Sequence, residues 1–222
     1  MLVRLAVMLL LVAAAAVLGE LLQSITQLGA WDRAGVTAVS FATGPAAAHL
    51  AAFIDLALGP RSAPFVALAA IAPLVLLVPR LRRTGEVLRI ALLVVVPWGA
   101  AAVLKFVVQR PRPDAALSAL DTIPTPVSFS YPSGHTAIAA ALCCAVLLSV
   151  RLHRGRWLVV ALSVLTIGAT GWSRVALGVH HPGDVLVSAL LIPALAVLLA
   201  GVLDAVGSTR SDSAASAPPA TT

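Results

Sequence analysis

Three short polar clusters interrupt an otherwise apolar sequence, and their side chains are of the kinds that could grip and cleave a phosphate ester. The clusters are residues 105–113 (KFVVQRPRP), 132–135 (PSGH) and 173–184 (SRVALGVHHPGD). Each lies at the end of a hydrophobic segment, where lipid would meet water. Polar residues beside a bilayer core are energetically costly, so their presence there usually indicates a function.

The first cluster offers two cations to one anion. Lys105 ends a hydrophobic segment, and Arg112 follows seven residues later, just before Pro113. Arginine supplies a planar fork of donors that suits phosphate oxygens, whereas lysine supplies a point charge. The alternative is that both cations only snorkel to the interface or set the topology. We predict that Lys105 and Arg112 converge on a phosphate.

The second cluster opens a hydrophobic segment. Proline suits the first turn of a helix, and Gly134 lets a ligand approach the backbone. Free amide hydrogens at a helix N-terminus form an anion site, to which Ser133 adds a hydroxyl donor. His135 can supply a proton to a leaving oxygen. A histidine at this place could also be merely solvated, but the serine and glycine beside it favour a functional role.

The third cluster combines a cation with a histidine and a carboxylate. Arg174 ends one hydrophobic segment, and His180 and Asp184 lie four residues apart where the next begins. An aspartate bonded to one ring nitrogen fixes the tautomer and leaves the other nitrogen free to attack. Alternatively, Asp184 could simply cap the helix. We predict a structural role for the neighbouring His181.

These groups are sufficient for phosphoryl transfer without a metal or other cofactor. Charge in the transition state spreads over the phosphate oxygens, where fixed cations and amide donors stabilise it. Apart from the histidines already assigned, no set of acidic residues and histidines has the spacing of a metal site. We therefore predict no cofactor.

Composition indicates the setting of these clusters. The chain has 222 residues, of which 60% are hydrophobic and 11% are charged, whereas a soluble domain carries about a quarter charged residues. The sequence is therefore that of an integral membrane protein. The net charge of +6 does not indicate nucleic-acid binding, because the basic residues lie mostly in short hydrophilic gaps.

Hydropathy predicts an all-α bundle of about six membrane spans. The predicted spans are residues 1–22, 63–79, 87–108, 135–150, 157–172 and 185–206. The first is favoured as an uncleaved anchor over a signal peptide, because its apolar run is too long for a signal core. Residues 34–58, broken at Gly44-Pro45, are predicted to form an interfacial or re-entrant helix pair.

Orientation follows from the loops. If six spans alternate, most of the arginines between spans and at both termini fall on one side, which the positive-inside rule makes cytoplasmic. The three polar clusters then face the opposite, extracytoplasmic side, where cations that only set topology are not favoured. We expect residues 29–61 and 114–131 to line the entrance. Residues 1–206 form one predicted domain, followed by a disordered tail at 207–222.

The three clusters closely resemble the signature of the type 2 phosphatidic acid phosphatase (PAP2) superfamily. That signature is Lys-x6-Arg-Pro, then Pro-Ser-Gly-His, then Ser-Arg-x5-His-x3-Asp. Here it reads Lys105…Arg112-Pro113, Pro132-Ser133-Gly134-His135 and Ser173-Arg174…His180…Asp184. All three parts are complete and in order, and the resemblance covers roughly residues 63–206.

The resemblance implies a role for each matching residue. His180 would be the nucleophile that forms a phosphohistidine, and Asp184 would orient it. His135 would protonate the leaving alcohol and then activate water. The implied phosphate-binding residues are Lys105, Arg112, Ser133, Gly134 and Arg174.

The expected function is hydrolysis of a lipid phosphate in the cell membrane. Candidate substrates are polyprenyl pyrophosphate, phosphatidic acid and phosphatidylglycerol phosphate; the oligomeric state is left open. One alternative is a phosphotransferase of the same fold, and another is a carrier that binds lipid phosphates without cleaving them. A vanadium haloperoxidase is disfavoured, because the chain is membrane-embedded and too short for that large soluble fold.

Overall fold

The computed structural model is an all-helical bundle. It describes residues 1–58, 83–114, 127–149 and 155–215, with isolated positions at 62, 65, 66, 68, 69, 72, 76, 79 and 118. Within these residues there is no β-strand. The helices are α1 (Leu2–Ser24), α2 (Thr26–Ala42), α3 (Pro45–Leu58), α4 (Thr84–Val108), α5 (Gly134–Ser149), α6 (Arg156–Ala176) and α7 (Pro182–Ala215).

Four of the described helices are long and apolar enough to cross a membrane. They are α1, α4, α6 and the first 26 residues of α7, through Gly207. A helix needs about 20 apolar residues to span the hydrocarbon core. These helices coincide with the predicted spans 1–22, 87–108, 157–172 and 185–206, which confirms the polytopic helical membrane fold.

The other two predicted spans leave the count of six unconfirmed. The segment 135–150 is helical as α5, but its 16 residues make it shorter than the spanning helices. The predicted span 63–79 lies outside the continuously described residues. With the bent pair α2–α3 counted as one span, the described helices give up to five.

Helix α5 is the centre of the bundle. It packs against α4, α6 and α7, and ten of its 16 residues are buried. Half of these are alanines, and small residues let neighbouring helices approach closely inside a membrane. A helix that is apolar on every side is one that neighbours surround. The Pro-Ser-Gly-His cluster at its start is therefore held by three helices.

Helices α2 and α3 form the predicted broken pair. Helix α2 ends at Ala42 and α3 begins at Pro45, and the two axes bend by 116°. A proline suits the first position of a helix but cannot extend the one before it. The pair packs on α6, and α3 also contacts α5. It therefore covers the same end of the bundle as the polar clusters.

A hydrogen bond and a close packing contact connect helix α1 to the segment before α5. The buried hydroxyl of Tyr131 donates to the carbonyl of Ala15, and Gly19 lies under its ring. At the other terminus, α7 continues to Ala215, past the predicted end of the domain at residue 206. Residues 216–222 lie outside the described residues, so the predicted boundary between domain and tail stays a prediction.

Candidate active site

The third cluster brings His180 and Asp184 together. Helix α7 begins at Pro182, which places Asp184 in its first turn. His180 Nδ1 lies 3.4 Å from Asp184 Oδ2, and both side chains are buried. The contact is long for a hydrogen bond. The amide of His181 donates to the same carboxylate oxygen at 2.9 Å, which fixes its position.

The other nitrogen of His180 faces Arg112. His180 Nε2 lies 3.3 Å from Arg112 Nη1, and the guanidinium also donates to the carbonyls of Val179 and Ser128 at 2.6 and 2.7 Å. Burial lowers the pKa of His180; Asp184 opposes this effect and Arg112 adds to it. The imidazole is therefore neutral near pH 7. A proton on Nδ1, facing Asp184, leaves a lone pair on Nε2.

Lys105 and Arg112 approach the same backbone carbonyl. Lys105 Nζ donates to the carbonyl of Phe129 at 2.6 Å, and Arg112 Nη2 approaches the same oxygen at 3.4 Å. Burial lowers the pKa of Arg112 to about 10; Asp184 and Asp55 oppose this effect and Arg174 adds to it. The charge of Arg112 therefore interacts with Asp184 and Arg174 of the third cluster and with Asp55 on α3.

The second cluster is joined to the third through the backbone. The amide of Ser133 donates to the carbonyl of Asp184 at 3.1 Å, and Ser188 Oγ donates to the carbonyl of Ser133 at 2.9 Å. The Ser133 hydroxyl accepts from Thr136 Oγ1 at 3.0 Å. Gly134, the first residue of α5, has open space where a Cβ would lie. The helix start therefore keeps room for a ligand.

Arg174 and His135 both contact one carboxylate, which lies outside the three clusters. Asp55, on α3, accepts a hydrogen bond from Arg174 Nη1, and its Oδ1 lies 3.2 Å from His135 Nε2. Arg174 is almost completely buried and also donates to Ser173 Oγ at 3.0 Å and to the Ala51 carbonyl at 3.4 Å. The predicted phosphate ligand Arg174 is thus joined to α3.

A second carboxylate from outside the clusters lies behind Asp184. Arg110 Nη1 is 2.7 Å from Asp184 Oδ1 and 2.7 Å from Asp32 Oδ2. Asp32, on α2, also accepts from the amide of Gly183 at 2.7 Å. All three charged side chains are buried, with at most 4% of each exposed. Arg110 therefore bridges two carboxylates, one of which contacts His180.

The same corner contains a set of side chains with metal-binding potential. Ligand atoms of Asp32, His181 and Asp184 lie within 4.8 Å of one another. However, Arg110 lies 2.7 Å from a carboxylate oxygen of each aspartate. A guanidinium so close supplies the positive charge that a buried pair of carboxylates requires. The donor set does not fit a metal ion while Arg110 occupies this position.

Asp32, Asp55 and Arg110 were absent from the residues predicted for the site. The two aspartates are charged residues in apolar surroundings, a signal that could have identified them. Both fall within residues 29–61, the segment predicted to line the entrance. Arg110 is one of the variable positions between Lys105 and Arg112, so the motif gave no reason to select it.

The region holding this site matches the sequence model described as the PAP2 superfamily, over residues 86–205. That match covers more than half of the chain. The chain belongs to the PAP2 superfamily.

Among curated PAP2 relatives, a decaprenylphosphoryl-5-phosphoribose phosphatase of Mycobacterium tuberculosis is 33% identical over 110 residues. The alignment covers 50% of this chain and 55% of the relative. An undecaprenyl-diphosphatase of Sulfolobus acidocaldarius is 31% identical over 119 residues, which cover 53% of this chain and 54% of the relative. The chain thus spans about half the length of the curated relatives it matches.

A solved structure supports the PAP2 fold over nearly the whole chain. It is the transmembrane PAP2-type phosphatidylglycerolphosphate phosphatase from Bacillus subtilis, with a TM-score of 0.65 and 21% identity. The match covers 94% of this chain and 96% of that one. At this identity the likeness concerns the fold.

Proposed function

We propose that this PAP2 protein is a membrane phosphatase that hydrolyses lipid phosphates through a phosphohistidine on His180. The observation that carries the proposal is the buried His180, held between Asp184 and Arg112. Its relatives include a decaprenylphosphoryl-5-phosphoribose phosphatase and an undecaprenyl-diphosphatase, which favours a polyprenyl phosphate or diphosphate as the substrate. Phosphatidic acid and phosphatidylglycerol phosphate are further candidates.

In the first step, His180 Nε2 attacks the phosphorus and the bond to the leaving oxygen breaks. His135 transfers a proton to that oxygen, so the lipid leaves as an alcohol or, from a diphosphate, as a monophosphate. Lys105, Arg112 and Arg174 neutralise the phosphate oxygens, and the amides at the start of α5, with Ser133 and Gly134, supply further donors. Asp184 stabilises the positive charge that develops on His180.

In the second step, water attacks the phosphorus and the P–N bond breaks. His135, now neutral, accepts the proton of the water, and His180 leaves as a neutral imidazole. Inorganic phosphate is the product. No step requires a metal, so we expect activity to persist in the presence of a chelator.

We further propose that the site faces the extracytoplasmic side and that both termini are cytoplasmic. The proposal rests on the distribution of arginines between the spans. Arg83 and Arg89, at the end of α4 remote from Lys105, would then lie at the cytoplasmic face. Lipid substrates would enter beside α2 and α3, which carry the carboxylates that contact the site.

The test is phosphate release by the detergent-purified protein with EDTA present. The panel contains undecaprenyl pyrophosphate, phosphatidic acid and phosphatidylglycerol phosphate, and His180→Ala is compared with Asp204→Asn. Asp204 pairs with the distant Arg89 at 2.9 Å. We expect His180→Ala to lose at least about 1000-fold in kcat, as removal of a nucleophile does, while Asp204→Asn keeps wild-type activity.

Two outcomes would contradict the proposal. Folded wild-type protein that releases phosphate from no lipid would favour a carrier, and a phosphorylated acceptor in excess of free phosphate would favour a phosphotransferase. The intermediate can be sought directly by quenching the reaction with radiolabelled substrate. A phosphohistidine is labile to acid and stable to alkali, whereas a phosphoserine shows the opposite behaviour.

A further inference from the structure

Asp55 is the charged group of α3 that reaches the candidate site. Its Oδ1 contacts both Arg174 Nη1 and His135 Nε2, the latter at 3.2 Å. Its side chain is 35% exposed, whereas that of Arg174 is 1% exposed. It therefore lies at the rim of the site, with one oxygen shared between a cation and a histidine.

The two histidines of the site have similar surroundings. His180 has a carboxylate at one ring nitrogen and an arginine at the other. His135 likewise has a carboxylate at one ring nitrogen, and that carboxylate is bound to an arginine. A histidine that must hold and release a proton works only in a fixed orientation and tautomer, and a neighbouring carboxylate provides both.

We propose that Asp55 is the positioning residue of His135, as Asp184 is that of His180. This inference rests on the function proposed above. Asp55 holds the proton on His135 Nε2 throughout, so Nδ1 is the nitrogen that exchanges protons. Nδ1–H goes to the leaving oxygen in the first step, and Nδ1 takes a proton from water in the second.

Arg174 makes this arrangement compatible with an anionic substrate. A free carboxylate beside the phosphate would repel it, because like charges a few ångströms apart oppose binding. The Arg174–Asp55 pair is neutral as a unit. Asp55 can therefore serve His135 without a net negative charge at the phosphate site.

The position of Asp55 predicts which substrates depend on it most. An alkoxide leaves only when it is protonated, whereas p-nitrophenolate leaves readily without a proton. The first step on a lipid phosphate monoester should therefore need a well-oriented His135, whereas the first step on p-nitrophenyl phosphate should not. The second step, attack of water on the phosphohistidine, is the same for both substrates. A residue that merely binds phosphate, or holds the fold, would affect both substrates alike.

The experiment compares wild type, Asp55→Asn and the matched control Asp204→Asn on phosphatidic acid and on p-nitrophenyl phosphate. In a two-step reaction kcat/KM reports only the steps through departure of the leaving group. General acid catalysis contributes about 100- to 10000-fold, so we expect Asp55→Asn to lose about 10- to 100-fold in kcat/KM on the lipid. On p-nitrophenyl phosphate the loss in kcat/KM should stay below about 3-fold. Asp204→Asn should match wild type on both substrates.

Equal losses in kcat/KM on the two substrates would overturn the inference and leave Asp55 as a structural partner of Arg174. A lower KM with unchanged kcat would also overturn it, because Asp55 would then compete with the phosphate. If Asp55→Asn fails to fold, Asp55→Glu is measured in its place. It should show the same selective loss of activity on the lipid. Wild-type protein inactive on both substrates would count against the proposed function itself.

Discussion

Two arginines separated by a single proline bind opposite sides of the same histidine and aspartate pair. Arg112 contacts His180 Nε2, whereas Arg110 contacts Asp184 and Asp32 in the interior. Arg112 belongs to the signature and Arg110 does not, yet Arg110 is the more deeply buried of the two. At the scale of single residues, the signature includes Arg112, which would face a substrate, and omits Arg110, which supports Asp184 from behind.

Removing the Arg110 charge should destabilise the protein strongly. Arg110→Met leaves Asp32 and Asp184 buried without their common cation, and breaking a buried pair in this way costs about 3–5 kcal/mol. We expect a clear fall in the thermal unfolding temperature in detergent. The double variant Arg110→Met with Asp32→Asn should recover part of the lost unfolding temperature, because it has one fewer unpaired buried charge.

The matched control for Arg110→Met is Arg89→Met at the other end of the bundle. Arg89 pairs with Asp204, whose side chain is 67% exposed, and such pairs contribute about 0–1 kcal/mol. If Arg89→Met destabilised the protein as much as Arg110→Met does, burial of the ion pairs would not explain the loss of stability in Arg110→Met.

At the scale of helices, close contacts join α1 to Tyr131 and to the end of α4. A Cβ on Gly19 would lie 2.7 Å from Tyr131 Cε1 and 2.8 Å from Val108 Cγ1. The Tyr131 ring is buried, and its hydroxyl is bound to Ala15, so it cannot easily move aside. Tyr131 directly precedes the Pro-Ser-Gly-His cluster, so packing on α1 bears on the position of Ser133 and His135.

Gly19→Ala should therefore lower both stability and activity. Overpacking a tight contact costs about 1–3 kcal/mol, and displacement of Tyr131 would disturb the start of α5. Gly168→Ala, in α6, is the control, because open space surrounds its Cβ position. Alanine there should be neutral or stabilising by about 0.5–1 kcal/mol. The two variants can be compared by thermal unfolding, and equal stabilities would contradict the packing argument.

At the scale of the whole molecule, the bundle should have a fixed orientation in the membrane. In a background with Cys143→Ser and Cys144→Ser, single cysteines at Asp114→Cys and Arg156→Cys report on opposite ends. Asp114 follows Arg112 at the site, and Arg156 begins α6. An impermeant maleimide should label Asp114→Cys in intact spheroplasts and Arg156→Cys only after permeabilisation. The reverse pattern would place the site in the cytoplasm.

Sequence reasoning found the spanning helices and the grouping of the three clusters because both give strong local signals. Charged residues are rare in this chain, so those near Lys105, His135 and His180 are conspicuous. Hydropathy could not show that α5 is enclosed by protein, because a buried helix and a lipid-facing helix are equally apolar. Nor could it pair Asp32 with Arg110 or Asp55 with Arg174, because those contacts join residues 78 and 119 positions apart.

Two of the three carboxylates at the site come from the bent pair α2–α3, before the residues 86–205 that match the family. The part of the chain that matches the family model therefore lacks two of the carboxylates that neutralise the arginines of the site. A chimera that grafts this half onto the N-terminal half of another relative would inherit every signature residue. It would nonetheless lack Asp55, the partner of Arg174, and Asp32, one of the two carboxylates beside Arg110, unless the new half supplied them. A chimera should therefore exchange the whole bundle and not the motif-bearing half alone. The search for functional variation among relatives should likewise include the helices that carry no motif.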